Sequence, residues 1–248
     1  MDLGLNGRTA AVAAGTAGLG LGTAKALAAE GVRMVVCGRD ADRLAGALDE
    51  IGHGAEGFVC DVSTDAGGRE FVERAIGILG RVDILVANGG GPPPGGFADV
   101  PESAYIEALQ KNLLSVVAMC KSAVPSMRER RWGRVLAITS VAVRQPIANL
   151  ILSNTARAGV TGFLKTLARE VAGDGVTVNT IQPGIHATDR MVQLYGGTPD
   201  GASLGIPAGI VGDPDDFGRI AAFMCSDAAR FMTGVQLHVD GGAYGALL

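Results

Sequence analysis

Residues Val12–Gly22 read Val-Ala-Ala-Gly-Thr-Ala-Gly-Leu-Gly-Leu-Gly and follow an apolar, β-capable run, Thr9–Ala14. Beyond them, Ala24, Leu27 and Ala28 recur at helical spacing, so the glycines are predicted to lie where a strand ends and a helix begins. A helix N-terminus exposes unpaired N–H groups, and glycines let a pyrophosphate approach the backbone closely. The stretch therefore predicts a nucleotide-binding turn. A glycine-rich turn without a ligand is the alternative, because the chain holds 38 glycines.

The length and composition favour a single α/β domain over residues 1–248. Hydrophobic residues make up 48% of the chain, yet no apolar run approaches the roughly 18 residues of a membrane span. The first residues contain no basic segment followed by an apolar core, so no secretory signal is visible. We therefore expect a cytoplasmic protein without a membrane partner.

The charged residues and cysteines exclude several classes of site. A net charge of −4, from 21 basic and 25 acidic residues, offers no basic footprint for nucleic acid. The four cysteines lie far apart and the three histidines form no local cluster. We predict buried apolar cysteines and neither disulfides nor metal ligands.

Seven short β-capable runs alternate with helical patterns along the chain. The predicted strands are Thr9–Ala14, Arg33–Cys37, Glu56–Cys60, Asp83–Ala87, Arg134–Thr139, Thr177–Gln182 and Gln236–Val239. Such alternation predicts a doubly wound Rossmann fold, in which one parallel sheet of about seven strands carries helices on both faces.

Several features between the strands are also predicted. Ser63 is expected to cap the third helix. A long helical region with a kink at Pro125 is expected over Ser103–Arg131, and a second long helix is expected over Ser153–Ala172. Met191–Val211 is rich in glycine and proline with weak periodicity, so we interpret it as a mobile substrate flap.

Ligands of such sheets bind beyond the carboxyl ends of the strands. The stretches predicted to share one cleft there are Gly15–Gly20, Gly38-Arg39, Asp61-Val62, Asn88–Gly91, Ser140 and Pro183–Thr188.

Taken together, these strand ends resemble the short-chain dehydrogenase/reductase family, particularly the branch of 3-oxoacyl-carrier-protein reductases. The family turn Thr-Gly-x-x-x-Gly-x-Gly falls on Ala13–Gly20, where Gly18 and Gly20 match. Ala14 replaces the first glycine, and the neighbouring Gly15 is expected to compensate. The family's Asn-Ala-Gly appears as Asn88-Gly89-Gly90.

The resemblance implies a nicotinamide dinucleotide cofactor and the residues that hold it. Asp61 matches the residue that contacts the adenine, and Thr188 follows the Pro-Gly turn where the family places a cofactor-binding threonine. The cofactor-binding set is Gly15, Thr16, Gly18, Leu19, Gly20, Arg39, Asp61, Val62, Asn88, Gly89, Arg157, Pro183, Gly184 and Thr188.

The catalytic positions depart from the family pattern. Asn112 and Ser140 match, but the expected Tyr-x-x-x-Lys reads Ser153-Asn154-Thr155-Ala156-Arg157. In the family the tyrosine exchanges a proton with the substrate oxygen, and the lysine lowers the phenol pKa and holds the ribose. A serine hydroxyl is a much weaker acid than a phenol, and an arginine stays protonated. The site should therefore keep cofactor binding and lose much of its proton transfer.

Two other groups are candidates for the missing acid. His186 lies in the turn after Pro183-Gly184 and titrates near neutral pH, which makes it the better chemical candidate. Tyr195, in the flap, is the second, and Tyr105 is expected to serve packing.

The second strand is followed by Gly38-Arg39, with no acidic residue at the position that would repel a 2′-phosphate. This predicts that NADP(H) is preferred over NAD(H), although Asp40 could weaken the preference. Two functions stay open: an oxidoreductase that interconverts a small-molecule carbonyl and an alcohol, and a dinucleotide-binding sensor or structural subunit with little or no turnover.

The resemblance also implies a homo-oligomer, a tetramer or else a dimer, paired through the two long helices. Apolar residues surround more than one side of the first of these helices, as an interface would require. They are Leu113, Val116, Val117, Met119 and Cys120.

Overall fold

The computed structural model describes residues 2–189, 191–192, 196–197 and 199–247. In this part of the chain, seven strands form one fully parallel sheet. The strands are β1 (Thr9–Val12), β2 (Arg33–Gly38), β3 (Glu56–Val59), β4 (Ile84–Ala87), β5 (Gly133–Ile138), β6 (Val176–Pro183) and β7 (Gln236–Val239). All seven predicted strands are confirmed, and their ends differ from the prediction by no more than two residues.

The sheet order is β3-β2-β1-β4-β5-β6-β7. The chain runs outward from β1 to β3, returns to the other side of β1 at β4, and then runs outward to β7. The two halves therefore diverge between β1 and β4, and the crevice at such a point is where doubly wound sheets bind their ligands. The predicted fold class is confirmed.

Helices cover both faces of the sheet. They are α1 (Gly18–Ala29), α2 (Ala41–Ile51), α3 (Asp65–Leu79), α4 (Glu102–Leu109), α5 (Ser115–Glu129), α6 (Ile151–Val171) and α7 (Pro214–Met224). One core packs α3, α5 and α6 against the sheet, and the other packs α1, α2 and α7 against the opposite face. All four cysteines are buried, as predicted.

The predicted helical region Ser103–Arg131 is formed by α4 and α5, which are joined by a π-helical turn, Gln110–Leu114. One local prediction was wrong. Ser63 does not cap α3: the cap is Thr64, whose hydroxyl accepts a hydrogen bond from the Gly67 N–H at 3.0 Å.

Within the described ranges, no helix combines the length and the hydropathy that a bilayer crossing requires. The same residues contain no cluster of three or more histidine, cysteine or acidic side chains arranged to hold a metal ion.

Candidate active site

The turn between β1 and α1 leaves the start of the helix open to a ligand. Ala17 precedes α1 without a side-chain cap, and the first turn of the helix holds no acidic residue. The N–H groups at this helix end are therefore not satisfied by a capping side chain of the described residues. A helix start of this kind favours a phosphate group.

The backbone conformation of the turn corrects one expectation. Ala14 itself adopts a left-handed conformation with φ of 46°, whereas Gly15 has no positive φ. Gly15 thus does not compensate for the missing glycine. Its position is set by packing, because a Cβ there would lie 3.1 Å from the Val36 side chain.

Asn88, at the end of β4, holds this turn in place. Its side-chain Nδ2 donates a hydrogen bond to the Ala14 carbonyl at 3.1 Å. Gly20 packs against the same two groups: a Cβ there would lie 2.5 Å from the Ala14 oxygen and 2.6 Å from Asn88 Nδ2. The turn therefore requires glycine at position 20 for reasons of space.

A cleft of about 520 Å³ extends along the carboxyl ends of the strands. The structure brings twelve of the fourteen predicted cofactor residues to its wall, namely Thr16, Gly18, Leu19, Gly20, Arg39, Asp61, Val62, Asn88, Gly89, Arg157, Pro183 and Thr188. Gly184 lines the neighbouring cavity instead, and Gly15 is absent from the wall of the cleft.

Two exposed arginines stand at the end of the cleft near β2. Arg39 was predicted here, and Arg43, in the first turn of α2, lines the cleft as well. Sequence reasoning missed Arg43, although a second arginine one helical turn after Arg39 was a usable signal. Gly38 is closely packed, since a Cβ there would lie 2.5 Å from Thr16 Oγ1. An acidic side chain at position 38 would therefore displace Thr16.

Asp40 lies between these arginines in the sequence, and its carboxylate caps α2. Its Oδ1 accepts a hydrogen bond from the Arg43 N–H at 2.8 Å. The negative charge is thus engaged with the start of the helix, where it offsets the helix dipole.

A second cavity, of about 850 Å³, adjoins the cleft. Ser140, Ser153 and Arg157 line it together, as the resemblance implied. Much of the remaining wall is apolar, including Pro92, Val141, Ile147, Leu150, Ile185 and Ile206. The two spaces share Gly91, Thr139, Arg157 and Pro183, so that a molecule in one can meet a molecule in the other.

Three polar side chains define the chemistry at this junction. Ser140 follows β5, and its Oγ accepts a hydrogen bond from the Ala142 N–H at 3.1 Å, which leaves the hydroxyl hydrogen to be donated elsewhere. Arg157 lies on α6, one turn after Ser153, and its Nη1 donates to the Ile138 carbonyl at 3.2 Å. The guanidinium is thereby anchored at the end of β5.

Asn112 lies in the π-helical turn rather than in a regular helix. Its Nδ2 donates to the Gly90 carbonyl at 3.1 Å. Its Oδ1 is buried and has no hydrogen-bond partner among the described residues. Single π turns inside α-helices occur frequently at functional sites, and a buried acceptor of this kind suits a water or ligand donor.

The structure does not bring His186 to this cavity. Its side chain is 4% exposed and meets the Phe217 ring edge-on, with ring centroids 5.1 Å apart. Nδ1 lies 3.3 Å from the Gly184 carbonyl oxygen, and burial lowers the pKa of the imidazole. The structure thus gives no support to His186 as the proton donor, because the ring belongs to the packing between β6 and α7.

The predictions for the two tyrosines, Tyr195 and Tyr105, have different outcomes. Tyr195 lies outside the described residues. Tyr105 packs beside Ala108 and Leu152, as predicted. From the flap region, Met191, Leu204 and Ile206 line the larger cavity.

The sequence matches a family model described as Enoyl-(Acyl carrier protein) reductase over residues 13–244. The chain is 31% identical over 242 residues to the 3-oxoacyl-[acyl-carrier-protein] reductase FabG of Escherichia coli (strain K12), covering 98% of this chain and 99% of that protein.

Two solved structures are similar along nearly the whole chain. One is the NADPH-bound short-chain oxidoreductase of Pseudomonas aeruginosa PAO1, described as containing an atypical catalytic center, with a TM-score of 0.89, 28% identity and coverage of 96% and 97% of the two chains. The other is the L-sorbose reductase of Gluconobacter frateurii in complex with NADPH and L-sorbose, with a TM-score of 0.91, 27% identity and full coverage of both chains. By its family-model match, its sequence relatives and its fold, this chain belongs to the short-chain dehydrogenase/reductase family of oxidoreductases.

Proposed function

We propose that this protein is an NADP(H)-dependent oxidoreductase that interconverts a small-molecule carbonyl and an alcohol, with Ser153 and Arg157 in place of the family's tyrosine and lysine. The observation that carries the proposal is the junction between the two spaces. The cofactor-sized cleft opens at Arg157 and Thr139 into a cavity that holds Ser140. A dinucleotide in the cleft and a carbonyl in the cavity would therefore meet at the end of β5.

The residues of the cleft fit a phosphorylated dinucleotide. The uncapped start of α1 and the close-packed turn at Gly20 would hold the pyrophosphate. Arg39 and Arg43 would pair with a 2′-phosphate, and Asp61 lies where the resemblance places the adenine contact. When bound, the nicotinamide supplies the hydride of the reaction.

The side chains of the cavity would then orient the substrate. Ser140 would donate its hydroxyl hydrogen to the carbonyl oxygen. Arg157 would donate to the cofactor ribose while it stays anchored to Ile138. Ser153 can position an oxygen or a water but is a poor acid, so positioning survives better than proton transfer.

Cofactor titration tests the first half of the proposal. NADPH should raise the melting temperature at lower concentrations than NADH does. The change Arg39→Ala should weaken NADPH binding by about ten-fold, since a hydrogen bond to a charged group contributes roughly 1.5–3 kcal/mol, while NADH binding changes little. Arg33→Ala, at the opposite end of β2, is the matched control. Tighter NADH binding, or an Arg39→Ala protein with unchanged NADPH affinity, would contradict the preference.

The second candidate function is dinucleotide binding without turnover, and the weak acid at Ser153 favours it. A panel of ketones and aldehydes with NADPH separates the two functions. If the protein binds NADPH and consumes none of it with any member of the panel, the sensor or structural role becomes the better proposal.

We also propose a homo-oligomer, a tetramer or else a dimer. The residues first offered in its support require a correction, because Val116, Met119 and Cys120 lie in the core beneath the sheet rather than on an outer face. Support comes instead from two exposed apolar side chains near the α4–α5 junction, Ile106 at 69% and Leu114 at 44% exposure. A monomer mass in light scattering at micromolar concentration would exclude both assemblies. The cytoplasmic location stays a prediction.

A further inference from the structure

A tyrosine lines the larger cavity from an element other than α6. Tyr244, which follows β7, contributes to the cavity wall together with Ser140 and Ser153. It is the only tyrosine among the described residues of that wall. A phenol is a far stronger acid than an aliphatic hydroxyl, so Tyr244 is the best neutral proton donor among these groups.

The position of Tyr244 is fixed on two sides. Its ring stacks on the His238 imidazole, with centroids 4.4 Å apart and an angle of 14° between the planes. Its backbone N–H donates to Asp240 Oδ2 at 2.9 Å. A side chain held in this way loses little further freedom when a substrate arrives, and this favours catalysis.

The segment around the tyrosine is tied to the loop that begins at Ser140. Arg144 Nε donates a hydrogen bond to Gln236 Oε1 at 3.0 Å. The Gly245 N–H donates to Gln145 Oε1, with 3.5 Å between the nitrogen and the oxygen. Both loop residues come within five positions of Ser140. The segment that carries Tyr244 is therefore held beside the loop that follows Ser140.

The other titratable candidates do not suit the step. Arg157 stays protonated at ordinary pH and cannot release a proton. His186 is buried against Phe217, outside the cavity wall.

We propose that Tyr244 donates the proton to the carbonyl oxygen of the substrate, in place of the tyrosine that Ser153 has replaced. This inference rests on the proposed function. In the reduction, the carbonyl carbon takes up a hydride, with oxidation of the bound NADPH, and the carbonyl oxygen takes up the phenolic proton. The phenol O–H bond breaks, the alcohol O–H bond forms, and one proton taken up from the solvent converts the phenolate back to the phenol.

The test compares Tyr244→Phe with two other changes, Tyr105→Phe and Tyr195→Phe. Phenylalanine keeps a ring that can stack on His238, so the variant should fold. Its turnover on the best ketone should fall by about ten-fold or more, the lower end of what a positioned acid contributes. Tyr105→Phe is the control and should keep its turnover, whereas Tyr195→Phe tests the rival candidate for the acid. NADPH affinity should stay within about two-fold in Tyr244→Phe and Tyr105→Phe, because neither phenol lines the cofactor cleft.

A binding measurement adds a readout that does not depend on turnover. An amide of the same shape as the best ketone accepts the same hydrogen bond but is not reduced. Its affinity for the NADPH complex should fall by about five-fold in Tyr244→Phe, as expected for the loss of one hydrogen bond. Adding Ser153→Tyr to the Tyr244→Phe protein should restore turnover, because it returns a phenol to the cavity from α6.

Each contrary outcome has a distinct meaning. Unchanged turnover in Tyr244→Phe, or a loss found in Tyr195→Phe instead, would overturn this inference and leave the proposed function standing. A Tyr244→Phe protein that loses NADPH affinity and is not rescued by Ser153→Tyr would assign the ring a structural role, which also overturns it. A wild-type protein that reduces no carbonyl would overturn both proposals.

Discussion

Ala14 and Ser153 both stand where the family has a different residue, yet the two replacements have opposite consequences. At position 14 the family uses glycine for its backbone, and Ala14 still adopts a φ of 46°. The turn keeps its shape at a cost in conformational energy. At position 153 the family uses the tyrosine for its side chain, and no backbone adjustment can return a phenol. A fold can absorb the loss of a conformational preference much more readily than the loss of a chemical group.

Contacts with neighbouring residues hold Ala14 in its left-handed conformation. The carbonyl of Ala14 accepts from Asn88, and Gly20 leaves that carbonyl the space it needs. These contacts over-determine the turn, so that a residue which disfavours a left-handed conformation is held in it. The residues around Ser153 cannot compensate in this way, because Arg157 and Ser140 can orient a substrate but cannot release a proton as a phenol does.

The largest expected effect is that of replacing Gly20 in the turn between β1 and α1. Replacing it with alanine adds a Cβ 2.5 Å from the Ala14 oxygen, so the turn must move. We expect Gly20→Ala to lower the free energy of unfolding by about 3 kcal/mol, at the upper end of overpacking costs, and to abolish measurable NADPH binding. Urea denaturation and NADPH titration check this.

The matched control for Gly20→Ala is Gly46→Ala in α2, where an added Cβ meets open space. That change should raise the free energy of unfolding by about 0.5–1 kcal/mol, as usual for glycine to alanine in a helix. Equal effects of the two changes would mean that the close packing of Gly20 is not what the turn depends on.

The loss of the phenol at position 153 is tested by restoring the family's tyrosine and lysine. In the Tyr244→Phe protein, Ser153→Tyr with Arg157→Lys should raise turnover on an accepted ketone by roughly ten-fold or more, since it returns a positioned acid and an ammonium that lowers its pKa. Either change alone should do less. Ser153→Phe with Arg157→Lys is the control of matched size, and a gain of equal size there would show that a phenol is not what the site lacks.

The energetic cost of the left-handed conformation at Ala14 is tested by Ala14→Gly. Relief of the left-handed alanine should raise the free energy of unfolding by about 0.5–1 kcal/mol, after allowance for the more flexible unfolded chain. NADPH affinity should not change. Ala13→Gly is the control, since Ala13 is fully buried without a positive φ and should lose stability on truncation. A destabilised Ala14→Gly protein would mean that the methyl group packs favourably and that the strain is negligible.

The smallest expected effect concerns His186, whose ring is buried against Phe217. Burial lowers its pKa below the ordinary value of 6.5, so the unfolded chain binds a proton more readily than the folded one. Stability is then present above that value and decreases as the pH falls through it. His186→Gln should flatten the decrease in unfolding free energy between about pH 7 and pH 5. Part of the slope should persist, because burial also lowers the pKa of His238.

Urea midpoints at several pH values measure this dependence, and His53→Gln at an exposed position serves as the control. An unchanged slope in His186→Gln would show that protonation of this ring does not contribute to acid sensitivity.

The sequence allowed the sheet and the cleft to be predicted because both depend on local signals. Apolar runs located all seven strands, and the strand ends then located the cleft. The failures have tertiary causes. His186 is buried against Phe217, and the left-handed conformation falls on Ala14 while Gly15 packs against Val36. These neighbours are distant in the sequence, so the local pattern of residues does not reveal the contacts.

The π turn was also beyond local signals, because Gln110–Leu114 contains neither glycine nor proline. Arg43 was a different kind of failure. Its signal was present in the sequence, one helical turn beyond Arg39, and only the structure drew attention to it.

That π turn has a consequence for how this chain can change in length. It holds one residue more than the same stretch of α-helix, so α4 and α5 keep the relative rotation that an uninterrupted shorter helix would give them. Deleting one residue from Gln110–Leu114 would leave both helices in phase with their packing partners. Only the side chain at the bulge would change its direction, and with it the hydrogen bond from Asn112 to Gly90. We therefore expect a one-residue deletion in this turn to leave the other helices and the sheet folded while it moves Asn112.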